Sequence, residues 1–186
     1  AEKIKRLRDH GAEISDLQRH LGPKPFLLAD HPDAGYNQRM TDIQAALGSA
    51  QMDRANEIVS ERQRLANNYN QAFSNLEWLQ IPKISHQIEH GYQSYPCLFK
   101  PNEIKKDKIS ELNEQRNKWM EDLQEMGIST RPATHAVHML DFYKKKYNIA
   151  SEDYWNSYVA NNCSISLPLF HGMKEAEQQY IIEKVI

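Results

Sequence analysis

The sequence has little cysteine, little glycine and no long apolar run. The two cysteines, Cys97 and Cys163, stand in apolar, strand-like segments, where buried reduced thiols are expected rather than a disulfide or a metal pair. The seven glycines form no glycine-rich phosphate loop. No stretch resembles a signal peptide or a membrane-spanning segment, so the default expectation is a cytoplasmic location.

The sequence also lacks an excess of charge of one sign. It contains 23 Lys and Arg against 25 Asp and Glu, which gives a formal net charge of −2. Such a balance provides no overall attraction to nucleic acid or to an anionic membrane. The 186 residues, 40% hydrophobic and 26% charged, are typical of a soluble globular protein of one domain or slightly more.

The strongest pattern that is present predicts a long amphipathic helix over residues 43–74. Thr41 and Gln44 stand three apart just before it, which is the spacing of a capping box. The polar loop 35–39 precedes this cap, at a position where a helix start can hold an anion. Apolar residues recur along the segment at helical spacing, namely Ile43, Leu47, Ala50, Ile58, Leu65, Tyr69 and Phe73.

The rest of the chain interleaves short strands with helices, which predicts an α/β or α+β fold. Residues 12–34 contain three prolines and no sustained period, and they are expected to form a long surface loop. Pro96 predicts an edge position or a bulge for its strand. The predicted strands are 76–81, 92–100, 128–131 and 163–167, and the predicted later helices are 107–126, 140–147, 152–161 and 174–185.

Asn37 is the first candidate for chemistry. A polar side chain in a glycine-led loop before a helix can donate to a phosphate alongside backbone amides. The same residue type is also common in turns, where it tolerates a left-handed backbone. The residues alone leave both interpretations open.

A second group of candidates lies around Arg131. Its planar guanidinium suits a carboxylate or a diphosphate, because it binds two oxygens at once. His135 and His138 stand three apart and could share a helical face, but a zinc site needs more ligands and only the remote Cys163 is available, so no metal site is predicted. A set of aromatic residues at helical spacing is expected to pack in the core rather than to stack on bases. The set comprises Trp119, Tyr143, Tyr147, Tyr154, Trp155, Tyr158 and Phe170.

The segment 35–48, GYNQRMTDIQAALG, closely resembles the start of the interdomain helix in pyridoxal-phosphate-dependent sugar-nucleotide aminotransferases of the DegT/DnrJ/StrS type. The sequence His-Ala-Val-His at 135–138 looks most like the GDP-perosamine synthase branch. Further matching segments follow the same order along the chain: LRDHG at 7–11, GISTRP at 127–132 and SLPL at 166–169.

The resemblance implies the C-terminal part of a fold-type I enzyme, so that the chain is expected to be the second half of a longer protein. Residues 1–42 would be a remnant of the large cofactor domain with a loop that crosses to the partner subunit. Residues 43–74 would be the interdomain helix. Residues 75–186 would form the small C-terminal domain, with a short-stranded sheet covered by helices.

The same resemblance implies roles for individual residues. Asn37 would reach across a homodimer to the phosphate of pyridoxal phosphate in the neighbouring subunit, and Tyr36 and Arg39 would line the same opening. The segment with Arg131, His135 and His138 would close over the active site and contact the substrate. The implied substrates are a keto-sugar nucleotide and glutamate, in nucleotide-sugar or polysaccharide biosynthesis.

The resemblance also implies an absence. In the family, the lysine that holds the cofactor as a Schiff base lies upstream of the segment that matches residues 1–10, and no lysine here has the matching sequence around it. No catalytic residue is therefore expected in this chain, which would be inactive alone. An alternative of another class remains, a non-catalytic α/β module that binds a partner or a sugar nucleotide.

Overall fold

The computed structural model of the chain describes residues 1–13 and 30–186. They divide into two units, residues 1–54 and residues 55–186. Most of the loop predicted for 12–34 lies outside the described residues. The three-part division suggested by the family resemblance stays a prediction.

The first unit contains helix α1 (Glu2–Arg8) and helix α2 (Asp42–Asp53). The stretch before α2 lies antiparallel to the end of α1. The backbone N–H of His10 donates to the carbonyl of Tyr36 at 2.9 Å, and the N–H of Tyr36 donates to the carbonyl of Leu7 at 2.7 Å. These bonds place Asn37 opposite Asp9 in an isolated antiparallel bridge.

Two glycines permit this close approach of the chain to the end of α1. Gly11 has a φ of +75°, which favours glycine. A Cβ atom at Gly11 would overlap the backbone of Asp33, and a Cβ atom at Gly35 would overlap the backbone of Gly11. The loop that carries Asn37 therefore depends on glycine at both positions.

The capping box predicted at the start of α2 is confirmed. The Thr41 Oγ1 accepts from the backbone N–H of Gln44 at 3.3 Å, and the Gln44 Oε1 accepts from the backbone N–H of Thr41 at 3.1 Å. Together these bonds satisfy two amide groups that a helix start would otherwise leave without partners.

The prediction of one uninterrupted helix over 43–74 is wrong at one point. α2 ends at Asp53, and a second helix, α3, runs from Ala55 to Phe73. The backbone N–H of Arg54 bonds to the carbonyls of Gln51 and Met52, so the hydrogen bonds tighten at this turn. No proline or glycine lies next to Arg54 that would predict the interruption from the sequence.

The second unit contains an antiparallel three-stranded sheet with the order β1-β2-β3. The mixture of helices and a small sheet confirms the predicted α/β or α+β class. The strand predicted at 128–131 is wrong, because only Arg131 pairs there, in a single bridge with Ser166. The elements that follow α3 are β1 (Leu79–Gln80), β2 (Tyr95–Phe99), α4 (Ile109–Glu125), α5 (Asp141–Tyr147), α6 (Trp155–Cys163), β3 (Ser164–Leu167) and α7 (Glu175–Val185).

Pro96 lies in β2, the middle strand, so the predicted edge position is wrong for the strand as a whole. Ser166, which faces Pro96, exchanges both of its backbone hydrogen bonds with Arg131 on its other side. The nitrogen of Pro96 therefore points away from β3. β1 pairs only with Leu98 and Phe99, so it does not reach Pro96 and the missing N–H leaves no ladder bond broken there.

The core of the second unit joins α3, the sheet, α4 and α7. The ring of Tyr69 lies 5.0 Å from that of Tyr95 and 5.4 Å from that of Phe73, measured between centroids. Cys97 and Cys163 are both free and buried, which confirms the prediction of reduced thiols, and burial raises the pKa of Cys97 to about 12. The largest fully buried side chains are Tyr69, Tyr95, Phe73, Leu65, Leu79, Ile109, Leu112, Leu123, Ile165, Gln178 and Cys163.

Candidate functional site

The loop that precedes α2 places Asn37 beside Arg39 on the surface of the first unit. The Arg39 Nε donates to the Asn37 Oδ1 at 3.3 Å. The other guanidinium nitrogens lie 3.4 Å from the Asp9 Oδ1 and 3.4 Å from the His10 Nε2. The side chain of Arg39 therefore adds contacts to the backbone hydrogen bonds that hold the Asn37 loop at the end of α1.

This arrangement sets the direction of the Asn37 amide. Because its oxygen accepts from Arg39, its nitrogen, a donor of two hydrogen bonds, is the end of the amide turned away from Arg39. Asn37 is exposed. An exposed donor beside a guanidinium can bind an anion such as a phosphate, with Asp9 offsetting part of the positive charge.

The start of α2 contributes less to an anion site than its sequence suggested. The capping box already uses the N–H of Gln44, and Asp42 places a carboxylate in the first turn. A second anion at this helix start would meet that carboxylate. Among the described residues of the first unit, the side chains of Asn37 and Arg39 therefore stay candidates for binding a phosphate, with the exposed Tyr36 next to them.

The second unit fixes Arg131 at the open side of β3. Its N–H donates to the carbonyl of Ser166 at 3.3 Å, and its carbonyl accepts from the N–H of Ser166 at 2.7 Å. Arg116 supports this region, because its buried guanidinium donates to the carbonyl of Ser164 at 2.8 Å. The Arg131 residue itself is exposed. The backbone is thus held while the guanidinium faces outward.

The two candidate histidines lie in different environments. His135 is exposed. His138 is 9% exposed, its ring lies 5.0 Å from that of Tyr154, and its Nε2 donates to the carbonyl of Ser151 at 2.8 Å. In the neutral ring, Nδ1 is then an acceptor. His138 holds the chain in place, so a ligand contact from His138 would have to use Nδ1, whereas both nitrogens of His135 lie on an exposed residue.

The aromatic set behaves differently from its prediction. Tyr143, Tyr147, Tyr154 and Phe170 are exposed, so core packing is the wrong interpretation for these four, while the remaining three members are half-buried. Helix α5 buries none of its residues. Helical spacing places side chains on a common face, but it does not decide whether another element packs on that face. An open groove of about 530 Å³, called the aromatic groove below, is lined by Val137, His138, Tyr143, Tyr147, Ile149, Tyr154 and Ser157.

Reasoning from the sequence missed the partners of Arg39. Asp9 and His10 belong to the segment LRDHG, which was recognised as a matching block, but the sequence did not pair it with Arg39. Across residues 1–13 and 30–186, no cluster of three or more His, Cys, Asp or Glu side chains is arranged to hold a metal ion. Within the same residues, no helix has both the length and the apolar character needed to cross a membrane.

The fold has clear relatives among solved structures. The sugar aminotransferase Spr1654 from Streptococcus pneumoniae, described as putative and solved in its PLP form, matches with a TM-score of 0.75 at 23% identity, over 97% of this chain and 41% of that one. PseC from Helicobacter pylori, an aminotransferase involved in the biosynthesis of pseudoaminic acid, matches with a TM-score of 0.74 at 21% identity, over 99% and 44%. These neighbours identify the fold as that of fold-type I sugar aminotransferases.

Sequence relatives lead to the same group. The GDP-perosamine synthase of Escherichia coli O157:H7 is 31% identical over 158 residues, which are 83% of this chain and 38% of the relative. The uncharacterized protein MJ1066 of Methanocaldococcus jannaschii is 30% identical over 185 residues, which are 100% of this chain and 46% of the relative. The chain thus spans less than half the length of these relatives. The model of the DegT/DnrJ/EryC1/StrS aminotransferase family matches residues 1–186, and the chain belongs to that family.

Proposed function

We propose that this chain is the C-terminal portion of a pyridoxal-phosphate-dependent enzyme that transfers an amino group from glutamate to a keto-sugar nucleotide. The observation that carries the proposal is the family match over every residue of the chain. The name of the E. coli relative, a GDP-perosamine synthase, supports a nucleotide-linked sugar as the substrate. The pathway would be nucleotide-sugar or polysaccharide biosynthesis.

Pyridoxal phosphate would supply an electron sink for the exchange of the amino group. The residues of the first unit fit the phosphate of this cofactor, because an exposed amide donor and a guanidinium stand side by side at Asn37 and Arg39. In a homodimer, Asn37 would bind the phosphate held by the neighbouring subunit. Arg39 orients the Asn37 amide, and Tyr36 would line the opening next to it.

On the substrate side, Arg131 would bind a carboxylate of glutamate or the diphosphate of the sugar nucleotide. Its exposure and its fixed backbone favour such a role, since a guanidinium bound at two points also sets the orientation of its ligand. His135 would donate to or accept from sugar hydroxyls. The contribution of His138 would be limited to Nδ1, because Nε2 already serves Ser151.

No residue of this chain is assigned to the chemical step. The lysine that binds the cofactor would belong to the part of the enzyme that precedes this segment, and the chain alone would be inactive. Its described residues would bind the cofactor phosphate and the substrate and would exclude water around them. The cytoplasmic location expected from the sequence stays a prediction.

A chimeric enzyme tests this proposal. The segment of the E. coli GDP-perosamine synthase that matches this chain is replaced by residues 1–186, and amino transfer from glutamate to a GDP-linked keto sugar is measured. We expect activity in the chimera. We expect Asn37→Ala to weaken retention of pyridoxal phosphate by roughly 10- to 100-fold, the effect of losing a hydrogen bond to a charged group.

Asn56→Ala is the matched control, because Asn56 is an exposed asparagine of α3. Equal cofactor retention in the two variants would contradict the role of Asn37. A folded chimera that uses no nucleotide-linked sugar would contradict the proposed substrate class. With the unfused chain, borohydride reduction after addition of pyridoxal phosphate should label no single lysine, and specific labelling at one lysine would contradict the proposed division of roles.

A further inference from the structure

Among the residues of the aromatic groove, only His138 has a part in the function proposed above. Tyr143 and Tyr147 stand four residues apart on α5, so they share one face of that helix. Their rings are nearly parallel, with an angle of 14° and 6.4 Å between centroids. Tyr147 is 58% exposed. The two rings are therefore stacked with an offset at the surface, and helix α5 buries neither of them in a core.

Polar atoms stand among these rings. His138 lines the groove, and the bond from its Nε2 to the Ser151 carbonyl leaves Nδ1 as an acceptor in the neutral ring. Ser157 and the three tyrosines add hydroxyl groups that can donate or accept. A groove with flat apolar faces and several hydrogen-bonding edges is suited to a planar heterocycle, whose faces stack and whose edge carries donors and acceptors.

Positive charge lies at the rim of the groove. The Lys146 Nζ is 5.3 Å from the ring centroids of both Phe142 and Tyr147. The carboxylate of Asp141 is paired with Lys145 at 2.9 Å and not with Lys146. An ammonium group held over the aromatic rim favours a ligand whose heterocycle is attached to a phosphate.

We propose that the aromatic groove binds the base of a nucleoside diphosphate, with Tyr143 and Tyr147 stacking on the base and Lys146 facing its phosphates. The volume of about 530 Å³ is within the range of small-molecule sites. The inference rests on the proposed function for its ligand class, since a sugar nucleotide carries both a base and a diphosphate. It adds the place where the base is held.

The test is a calorimetric titration of the 186-residue chain and of the chimera with guanosine diphosphate, thymidine diphosphate and pyrophosphate. We expect a nucleoside diphosphate to bind more tightly than pyrophosphate. Tyr147→Ala should weaken that binding by about 5- to 150-fold, the range for loss of one base-stacking partner. Tyr147→Phe, which keeps the ring, should retain most of it.

Tyr180→Ala is the matched control, because Tyr180 is a partly exposed tyrosine of α7 outside the groove. The Tyr180→Ala variant should bind the nucleoside diphosphate as tightly as the parent chain does. Truncation of the exposed Tyr147 leaves the core intact, so a change in binding would not reflect unfolding. Lys146→Gln should weaken the nucleoside diphosphate more than the free nucleoside.

Three outcomes would overturn the proposal that the aromatic groove binds a base. In the first, neither protein binds a nucleotide, and in the second, Tyr147→Ala binds it as tightly as the parent chain. In the third, Tyr147→Ala loses self-association while its nucleotide binding is unchanged, which would identify the groove as a protein interface. The proposed function is tested separately by amino transfer in the chimera. If the chimera is active and Tyr147→Ala binds the nucleotide as the parent chain does, the proposed function stands and the proposed base site is wrong. If the chimera is inactive and Tyr147→Ala weakens nucleotide binding, the base site stands and the proposed function is wrong.

Discussion

The two units of the chain are stabilised in different ways. In residues 55–186, three helices and a sheet share a continuous apolar core in which Leu65, Tyr95 and Ile165 have no measurable exposure. In the described residues of 1–54, only Gly11 is buried, and neither α1 nor α2 buries any residue. The second unit thus contains the apolar burial that drives folding, whereas the first unit presents its candidate phosphate site without such burial.

The first unit is held by backbone hydrogen bonds and by ion pairs such as Arg6–Asp33 at 3.0 Å. Both partners of this pair are half-buried at the surface of the unit, where an ion pair contributes only about 0–1 kcal/mol. The apolar side chains of α2 instead face outward, with Ile43 85% and Leu47 66% exposed. We expect the isolated chain to self-associate, because apolar patches of this kind favour contact with other surfaces.

The largest expected effect separates two leucines. Leu65→Ala removes a fully buried side chain from the core and should lower the free energy of unfolding by about 2–5 kcal/mol. Leu47→Ala makes the same chemical change at an exposed position of α2 and should change it by less than about 0.5 kcal/mol. Urea unfolding of both variants measures the difference. Equal destabilisation would mean that α2 is packed as tightly as α3.

Alkaline pH should act on the second unit through its buried acids. Burial raises the pKa of Cys97 from 9.0 to about 12, and it also raises the pKa of Tyr69 and of Tyr95 above 10.0. The folded chain holds these protons more tightly than the unfolded chain. The resulting stability is fully present below pH 9.0 and is lost as the pH rises toward 12.

The expected loss from Cys97 alone approaches roughly 1.4 kcal/mol per pH unit once the thiol of the unfolded chain is ionised. Urea unfolding at a series of alkaline pH values measures it. Cys97→Ala should make the decline shallower while the contributions of Tyr69 and Tyr95 remain. A decline of unchanged slope in that variant would show that the Cys97 thiol is not protected from solvent in the folded chain.

Two glycines of the first unit provide a sharper comparison. Gly11→Ala places a Cβ against the backbone of Asp33 at a φ of +75°, and it should weaken the contact between the Asn37 loop and α1 by more than about 1 kcal/mol. Gly48→Ala, where a Cβ meets nothing within 4 Å, should strengthen α2 by about 0.5–1 kcal/mol. Hydrogen exchange at His10 and Tyr36, and far-UV circular dichroism, report the two effects. If Gly11→Ala left the protection of the Tyr36 amide from hydrogen exchange unchanged, the described contact between the Asn37 loop and α1 would be contradicted.

The smallest effect concerns the capping box. Thr41→Ala removes the acceptor for the N–H of Gln44 and should cost about 1 kcal/mol of α2 stability. Ser49→Ala, at an exposed position inside the same helix, is the control and should change it by a few tenths at most. Hydrogen exchange within α2 measures both variants. Similar exchange rates would show that the cap does not stabilise this helix.

Much of the fold could be predicted because its signals are local. The capping box at Thr41 and Gln44 needs only residues three apart, and α7 follows from one apolar stripe near the end of the chain. The interruption at Arg54 could not be predicted, since no proline or glycine marks it and the apolar period continues across it. Pro96 is tolerated in the middle strand because β1 does not extend far enough to pair with it, and the length of β1 could not be predicted from local sequence patterns.

The candidate site shows the same limit. The sequence placed Asn37 and Arg39 in one polar loop and identified Arg131, His135 and His138 as a group. It did not show that Arg39 contacts Asp9, a residue about thirty positions earlier, because a contact of that kind depends on the path of the chain between them.

By itself, the sequence determined most of the secondary-structure pattern, the helix cap, the burial of the two cysteines as free thiols and the membership of an aminotransferase family. Only the tertiary structure decided which of two chemically equal residues is available, as with exposed His135 and buried His138, or with exposed Leu47 and buried Leu65. The physical reason is that burial is a property of the neighbours a side chain meets. Those neighbours are supplied by segments far apart in the chain, whereas helix periodicity and capping are set within a few residues.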